Sequence, residues 1–203
     1  EFWRRIIMGE SLVLVPVENQ PIMKPVHEEV YEDVVQVLYI LLDYSGSMGK
    51  DFAPWRIPVW KGVVRRLIAK ALESGAIVML RTYNNRPRKL HRAESDPQEY
   101  LDLMDTVARF RPGGGTDNGA ALHCSMDDMA EMEFDEAYIT IVSDGEDDKF
   151  DGDAIRAELD EKGIKLHAIM LGAENSELLK ATDIYQIVEE NMVVHPPVYR
   201  RRD

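Results

Sequence analysis

The chain has 203 residues, 45% of them hydrophobic and 30% charged, an ordinary composition for one globular domain with extensions. Its formal charge of −13 excludes sequence-independent nucleic-acid binding, which needs a basic surface to displace counterions, and no apolar run approaches the roughly 18–20 residues that span a bilayer. The lone Cys124 excludes an internal disulfide and makes a reducing, cytoplasmic setting the expectation, while the start at Glu1 rather than Met reads as a fragment of a longer protein.

In chain order, residues 1–34 are expected to form an N-terminal extension docked on the domain. Leu12 and Leu14 alternate as an edge strand whose pairing the nearby prolines limit. Residues 35–42 are almost wholly apolar, the pattern of a central parallel strand covered on both faces, and the run ends on Asp43. Trp60, Val63, Val64, Leu67, Ile68, Ala71 and Leu72 recur at helical spacing and stop at Gly75. Residues 76–83 read as a second strand, 84–88 as a turn and 89–93 as a short antiparallel edge strand. Asp96, Pro97 and Glu99 give an N-cap, a first-turn proline and a capping-box acid for a helix through Tyr100, Met104 and Val107.

A helix is expected over residues 117–133, with Asp117 and Asn118 as caps and Cys124 as a small core residue. A strand at 137–143, a helix at 153–162, a strand at 164–171, a short helix at 176–181 and a last strand at 184–188 follow, with residues 191–203 as a tail. Strands alternating with helices predict an α/β fold, a doubly wound and mostly parallel sheet with helices on both faces. The scattered basic residues, among them Arg65, Arg66, Arg86, Arg88, Lys89 and Arg92, read as solvated helix faces rather than a patch.

Three oxygen-bearing loops follow strand or turn elements. Asp43, Ser45 and Ser47 alternate along LLDYSGSMGK, Thr116 follows three glycines in GGGTDNGAALH, and the run ending at Ser143 leads into Asp144-Gly145. Ligands of open α/β sheets bind at the carboxyl ends of strands, and hard cations such as magnesium take oxygen donors, so the pattern points to a divalent metal. The same three motifs, in this order, resemble the metal-ion-dependent adhesion site of von Willebrand factor type A domains over roughly residues 35–190. That resemblance implies a Rossmann-like sheet of six strands with one antiparallel edge. It nominates Asp43, Ser45, Ser47, Thr116 and Asp144 as ligands of Mg2+ or Mn2+. It further implies a non-enzymatic module in which a partner protein's Asp or Glu completes the coordination sphere. GGGTDNGAALH resembles the bacterial CoxE-like branch that accompanies MoxR-type AAA+ ATPases, which makes such an ATPase the expected partner.

A metal-dependent phosphohydrolase with Asp43 as nucleophile is the enzyme alternative, but haloacid-dehalogenase-type enzymes carry a second Asp where this chain has Ser45. GSMGKD has the wrong glycine spacing for a P-loop, and no histidine lies beside the five candidate oxygens, His123 at the end of GGGTDNGAALH falling within the expected helix; His167 reads as a sheet-face or core residue. Glu146, Asp147, Asp148, Asp151 and Asp153 read as a solvated acidic loop, with Asp151 or Asp153 capping a helix, and Asp117 together with Glu146 to Asp148 is expected to make the rim of the site negative. A partner reaching that rim is expected to set its acid among basic or apolar residues.

Overall fold

The computed structural model describes residues 34–49, 53–109, 111–146, 149–190 and 198–199. All of the expected extension but Val34, including its Leu12 and Leu14 strand, lies outside the described residues, as does most of the expected tail.

The strands are β1 (Gln36–Asp43), β2 (Ile77–Tyr83), β3 (Pro87–Ala93), β4 (Glu136–Ser143), β5 (Ile164–Leu171), β6 (Ile184–Val188) and β7 (Val198–Tyr199). The helices are α1 (Arg56–Ser74), α2 (Pro97–Ala108), α3 (Asn118–Met129), α4 (Gly152–Glu161) and α5 (Ser176–Ala181), with a 3-10 turn at Gly46–Met48. One sheet runs in the order β3-β2-β1-β4-β5-β6-β7, with β3 and β7 antiparallel at its two edges and every inner pair parallel. The expected six strands are all present. The addition is β7, two residues paired with Ile184 and Tyr185 inside the stretch expected to be a tail.

The inner strands are apolar because both of their faces are covered. On one face Tyr39 and Leu41 of β1 share a cluster with Ala121 and Met126 of α3 and with Ile155 and Leu159 of α4. The alternate residues Leu38, Ile40 and Leu42 are equally buried, and α1, which buries Trp60, Val64, Leu67 and Ile68, packs against α2. Gly75 ends α1 in the left-handed conformation, φ 69°, as its position just past the last periodic residue predicts.

Two boundaries differ from the sequence expectation. Helix α3 stops at Met129 instead of running to 133, and β3 starts at Pro87, two residues early, because a proline at an edge owes no inward hydrogen bond. The capping box at α2 also differs: Asp96 accepts the Gln98 N–H at 2.8 Å as a cap should, but the Glu99 carboxylate reaches the Glu94 N–H at 2.9 Å instead.

This topology locates the site. From β1 the chain winds outward through β2 to β3, then returns to the other side of β1 and winds through β4, β5 and β6. The direction therefore reverses between β1 and β4, and the crevice beyond their carboxyl ends is where such sheets bind ligands. Asp43 closes β1, and Asp144 follows β4 directly.

Candidate metal centre

Register sets the first loop. Leu42 pairs with Val142, so Asp43 and Ser143 end neighbouring strands side by side. The Asp43 carboxylate is 1% exposed and has two donors: the Ser45 N–H reaches Oδ1 at 2.8 Å and the Ser143 hydroxyl reaches Oδ2 at 2.7 Å. Burial, and next the charge of Asp144, push the Asp43 carboxyl up to about 6, against the hydrogen bonds from Ser143 and Ser45 that hold it down. The Ser45 and Ser47 hydroxyls lie 3.0 Å apart, so both face the same space.

The second loop is laced to the first through its backbone. The Gly113 N–H donates to the Tyr44 carbonyl and the Gly46 N–H to the Gly114 carbonyl, each at 2.8 Å. Two asparagines at the end of β2 hold it from the other side: Asn84 Nδ2 donates to the Gly113 carbonyl at 2.8 Å, and Asn85 Oδ1 accepts the Gly115 N–H at 2.7 Å. Gly114 has φ 94°, and a Cβ there would stand 2.8 and 2.9 Å from the Asn84 and Asn85 side chains, so only glycine fits. Thr116 comes next, half-buried, and among the described residues its hydroxyl bonds none of the other four candidates. Asp117 caps α3 by accepting the Ala120 N–H at 2.8 Å, as expected. Asn118 is no cap: it is buried and accepts the Tyr83 hydroxyl at 2.7 Å.

The third loop carries Asp144, which is 0% exposed. Its Oδ2 pairs with Arg56 Nη1 at 2.7 Å, and the same nitrogen donates to the Ser47 carbonyl at 3.0 Å, so one guanidinium joins the first and third loops. Asn175 Nδ2 holds the turn from behind through the Gly145 carbonyl at 3.0 Å.

Four of the nominated residues, Asp43, Ser45, Ser47 and Asp144, are thus tied together by side-chain bonds, shared partners or charge, and Thr116 stands on the loop laced to them. Sequence reasoning missed Arg56, Asn84, Asn85, Ser143 and Asn175. Two of them had a local signal: Ser143 stands just before Asp144, and Asn175 stands just before the helix expected at 176–181, which it caps by accepting the Leu178 N–H at 2.8 Å.

Among the described residues no group of three or more His, Cys, Asp or Glu side chains gathers, so a nitrogen- or sulfur-rich metal site is not formed. What the loops offer is hard oxygen: two buried carboxylates set against one guanidinium, with two adjacent hydroxyls. Two buried carboxylates, of which Asp144 alone is paired with the half-buried Arg56 guanidinium, leave a charge that a hard divalent cation fits.

Elsewhere the expectations divide. His167 is buried in β5, and its imidazole is held down to about 4 by desolvation. Cys124 is only half-buried on α3 rather than in the core. Asp151 caps α4 through the Asp153 and Ala154 N–H groups, and Asp147 and Asp148 lie outside the described residues. Of the residues expected to make the rim negative, Asp117 and Glu146 are among those described, and arginines also stand near the site. Beside Tyr44 opens a groove of about 280 Å³ lined by Thr82, Arg88, Thr106 and Arg109, which gives the β2 side of the site a basic flank.

A sequence profile of the von Willebrand factor type A domain matches residues 38–146, more than half of the chain. A comparison with curated proteins finds no match. Among solved structures, a von Willebrand factor type A protein from Catenulispora acidiphila aligns with TM-score 0.60 and 20% identity over 77% of this chain and 38% of that one. Conserved hypothetical protein BatB from Bacteroides thetaiotaomicron aligns with TM-score 0.57 and 21% identity over 83% of this chain and 81% of its own. Proximal thread matrix protein 1 from the mussel byssus, with a zinc-occupied MIDAS motif, aligns with TM-score 0.63 and 15% identity over 77% of this chain and 42% of that chain. The chain therefore spans about two fifths of the length of two of these three proteins. No helix among the described residues is long and apolar enough to cross a membrane.

Proposed function

The chain belongs to the von Willebrand factor type A domain family, and we propose that it acts as a metal-dependent protein-interaction module whose ligands are Asp43, Ser45, Ser47, Thr116 and Asp144. Domains of this family are generally non-enzymatic interaction modules that bind a divalent cation. The observation that carries the reading is the convergence of three oxygen-bearing loops at the reversal point of the sheet, around two buried carboxylates.

Mg2+ or Mn2+ is the proposed ion, since every donor is oxygen. Held there, it supplies a positive centre for an anionic oxygen from outside. The chain's own residues do the remainder. Ser143 and the Ser45 amide orient the Asp43 carboxylate, Asn84 and Asn85 hold the loop that carries Thr116, and Arg56 and Asn175 fix the loop that carries Asp144. The partner is a protein that presents an Asp or Glu to the site. The basic groove beside Tyr44 favours a partner with further acidic residues on the β2 side. The CoxE-like loop sequence makes a MoxR-type AAA+ ATPase the candidate, and a cytoplasmic setting goes with it.

Calorimetric titration with MgCl2 and MnCl2 tests the reading: the chain should bind one ion, and an Asp43→Ala, Asp144→Ala double variant should not. Equal heats for both would sink it. Metal-dependent turnover of generic phosphate esters, abolished by Asp43→Asn, would replace it with the phosphohydrolase alternative.

A further inference from the structure

Arg56 is the first residue of α1, and that is the wrong end for a cation, because the exposed N–H groups there already carry partial positive charge. The first turn contains no acidic residue, and Trp55 provides no side-chain cap, so nothing within the helix explains the choice. Its surroundings do. The side chain is 14% exposed and lies beside the Trp55 ring, 5.9 Å from guanidinium carbon to ring centre. Behind it is the turn after β5, where a Cβ on Gly172 would come within 3.0 Å of Nη2. Nη1 bonds both Asp144 and the Ser47 carbonyl, while Nε, also buried, has no partner among the described residues. A guanidinium desolvated to this extent, with one donor unmet, is poor as a packing device and is explained by the carboxylate it faces.

We propose that Arg56 is a built-in counter-cation that weakens the site's hold on the divalent ion and leaves the loaded site with a net positive charge, which selects for an anionic ligand. The proposal rests on the metal-binding reading above. Its basis is charge balance. Asp43 and Asp144 contribute two negative charges and Arg56 one positive, so a divalent ion brings the cluster to a single positive charge, whereas without Arg56 it would bring the cluster to neutrality. A cluster with net positive charge attracts a carboxylate more strongly than a neutral one does. Arg56 thereby acts as a specificity-determining and positioning residue that exchanges metal affinity for partner affinity.

The test uses the full 203-residue chain. Mn2+ affinity is measured by titration calorimetry for the parent, Arg56→Gln and Arg56→Lys, and acetate affinity of the Mn2+-loaded chains is read from water-proton relaxation. Arg56→Gln should bind Mn2+ about tenfold or more tightly than the parent and acetate more weakly, while Arg56→Lys, which keeps the charge, should stay near the parent. Arg56→Met keeps bulk against Trp55 and Gly172 and serves in place of Arg56→Gln if that variant does not fold. Unchanged or weaker Mn2+ binding by the neutral variants, or unchanged acetate binding, would overturn the proposal and leave Arg56 a structural strap. Absence of Mn2+ uptake by every chain, parent included, would instead overturn the metal reading and the proposal with it.

Discussion

Ser143 donates its hydroxyl to Oδ2 of Asp43 at 2.7 Å, joining the ends of two parallel strands that are 100 residues apart in sequence. Both residues are buried, so the bond cannot be replaced by bulk water. Ser143→Ala should leave one carboxylate oxygen unpaired, costing about 1–3 kcal/mol of stability. It should also push the Asp43 carboxyl further up than its present value near 6. Urea unfolding in the presence of chelator measures the first effect, and a midpoint equal to that of the parent would contradict it.

The lacing of the second loop gives a separate expectation. Gly114→Ala places a methyl group against Asn84 and Asn85 and forces a positive φ on a residue with a Cβ, for a cost of about 1–3 kcal/mol. Asn85→Ala removes only the acceptor for an exposed N–H and should cost less. Because both changes disturb the loop bearing Thr116, Mn2+ affinity should fall in the same rank order. A glycine variant as stable and as metal-competent as the parent would show that the loop is not held as described.

Acid should act through His167. Burial holds its imidazole down to about 4, whereas in the unfolded chain it takes a proton near 6.5. A histidine depressed in the folded state contributes stability that is complete above the unfolded value and is lost as pH falls from about 6.5 to about 4, to an extent on the order of 3 kcal/mol. His167→Phe, with no group to titrate, should lose less stability than the parent between pH 7 and pH 4.5 in denaturant titrations. Identical losses would rule out this residue as the source.

For a protein partner, the loops and the groove should act on different rates. Thr116→Ala, or chelator, removes the coordinating contact and should speed dissociation, whereas charge reversal at Arg88 and Arg109 on the groove should slow association and alter its salt dependence. Pull-down of a MoxR-type ATPase followed by surface kinetics separates the two. Binding indifferent to chelator and to Thr116→Ala would place the contact elsewhere on the chain.

The legible and illegible parts of the sequence divide along one physical line. Asp96, Asp117, Asp151 and Gly75 act on backbone within a few residues of themselves, and the apolar runs of β1, β4 and β5 follow from burial of both faces; such local causes leave local patterns. The bonds by which Arg56 reaches Asp144, Asn84 reaches Gly113, Asn85 reaches Gly115, Ser143 reaches Asp43 and Asn175 reaches Gly145 span 29 to 100 positions, so these roles exist only once the sheet has set its register, whatever local bonds the same side chains also make. Asn118 shows the difference within one helix turn: its residue type suits a cap, yet Tyr83, on a neighbouring strand, claims its side chain. The basic groove was hidden for the same reason, since Arg88 and Arg109 come from separate elements and each alone looks like a solvated surface charge.

The backbone bonds from Gly46 to Gly114 and from Gly113 to Tyr44 extend a sheet-like ladder past the end of β1 into the two loops. Amides so engaged exchange their hydrogens with solvent only when the ladder opens, and here the ladder is continuous with the central strand of the core. The Gly46 and Gly113 amides should accordingly exchange at rates close to those of β1 itself, far more slowly than loop amides ordinarily do. On the metal-binding reading proposed above, an ion should then come and go without unfolding its seat, because that seat would open only together with the middle of the sheet.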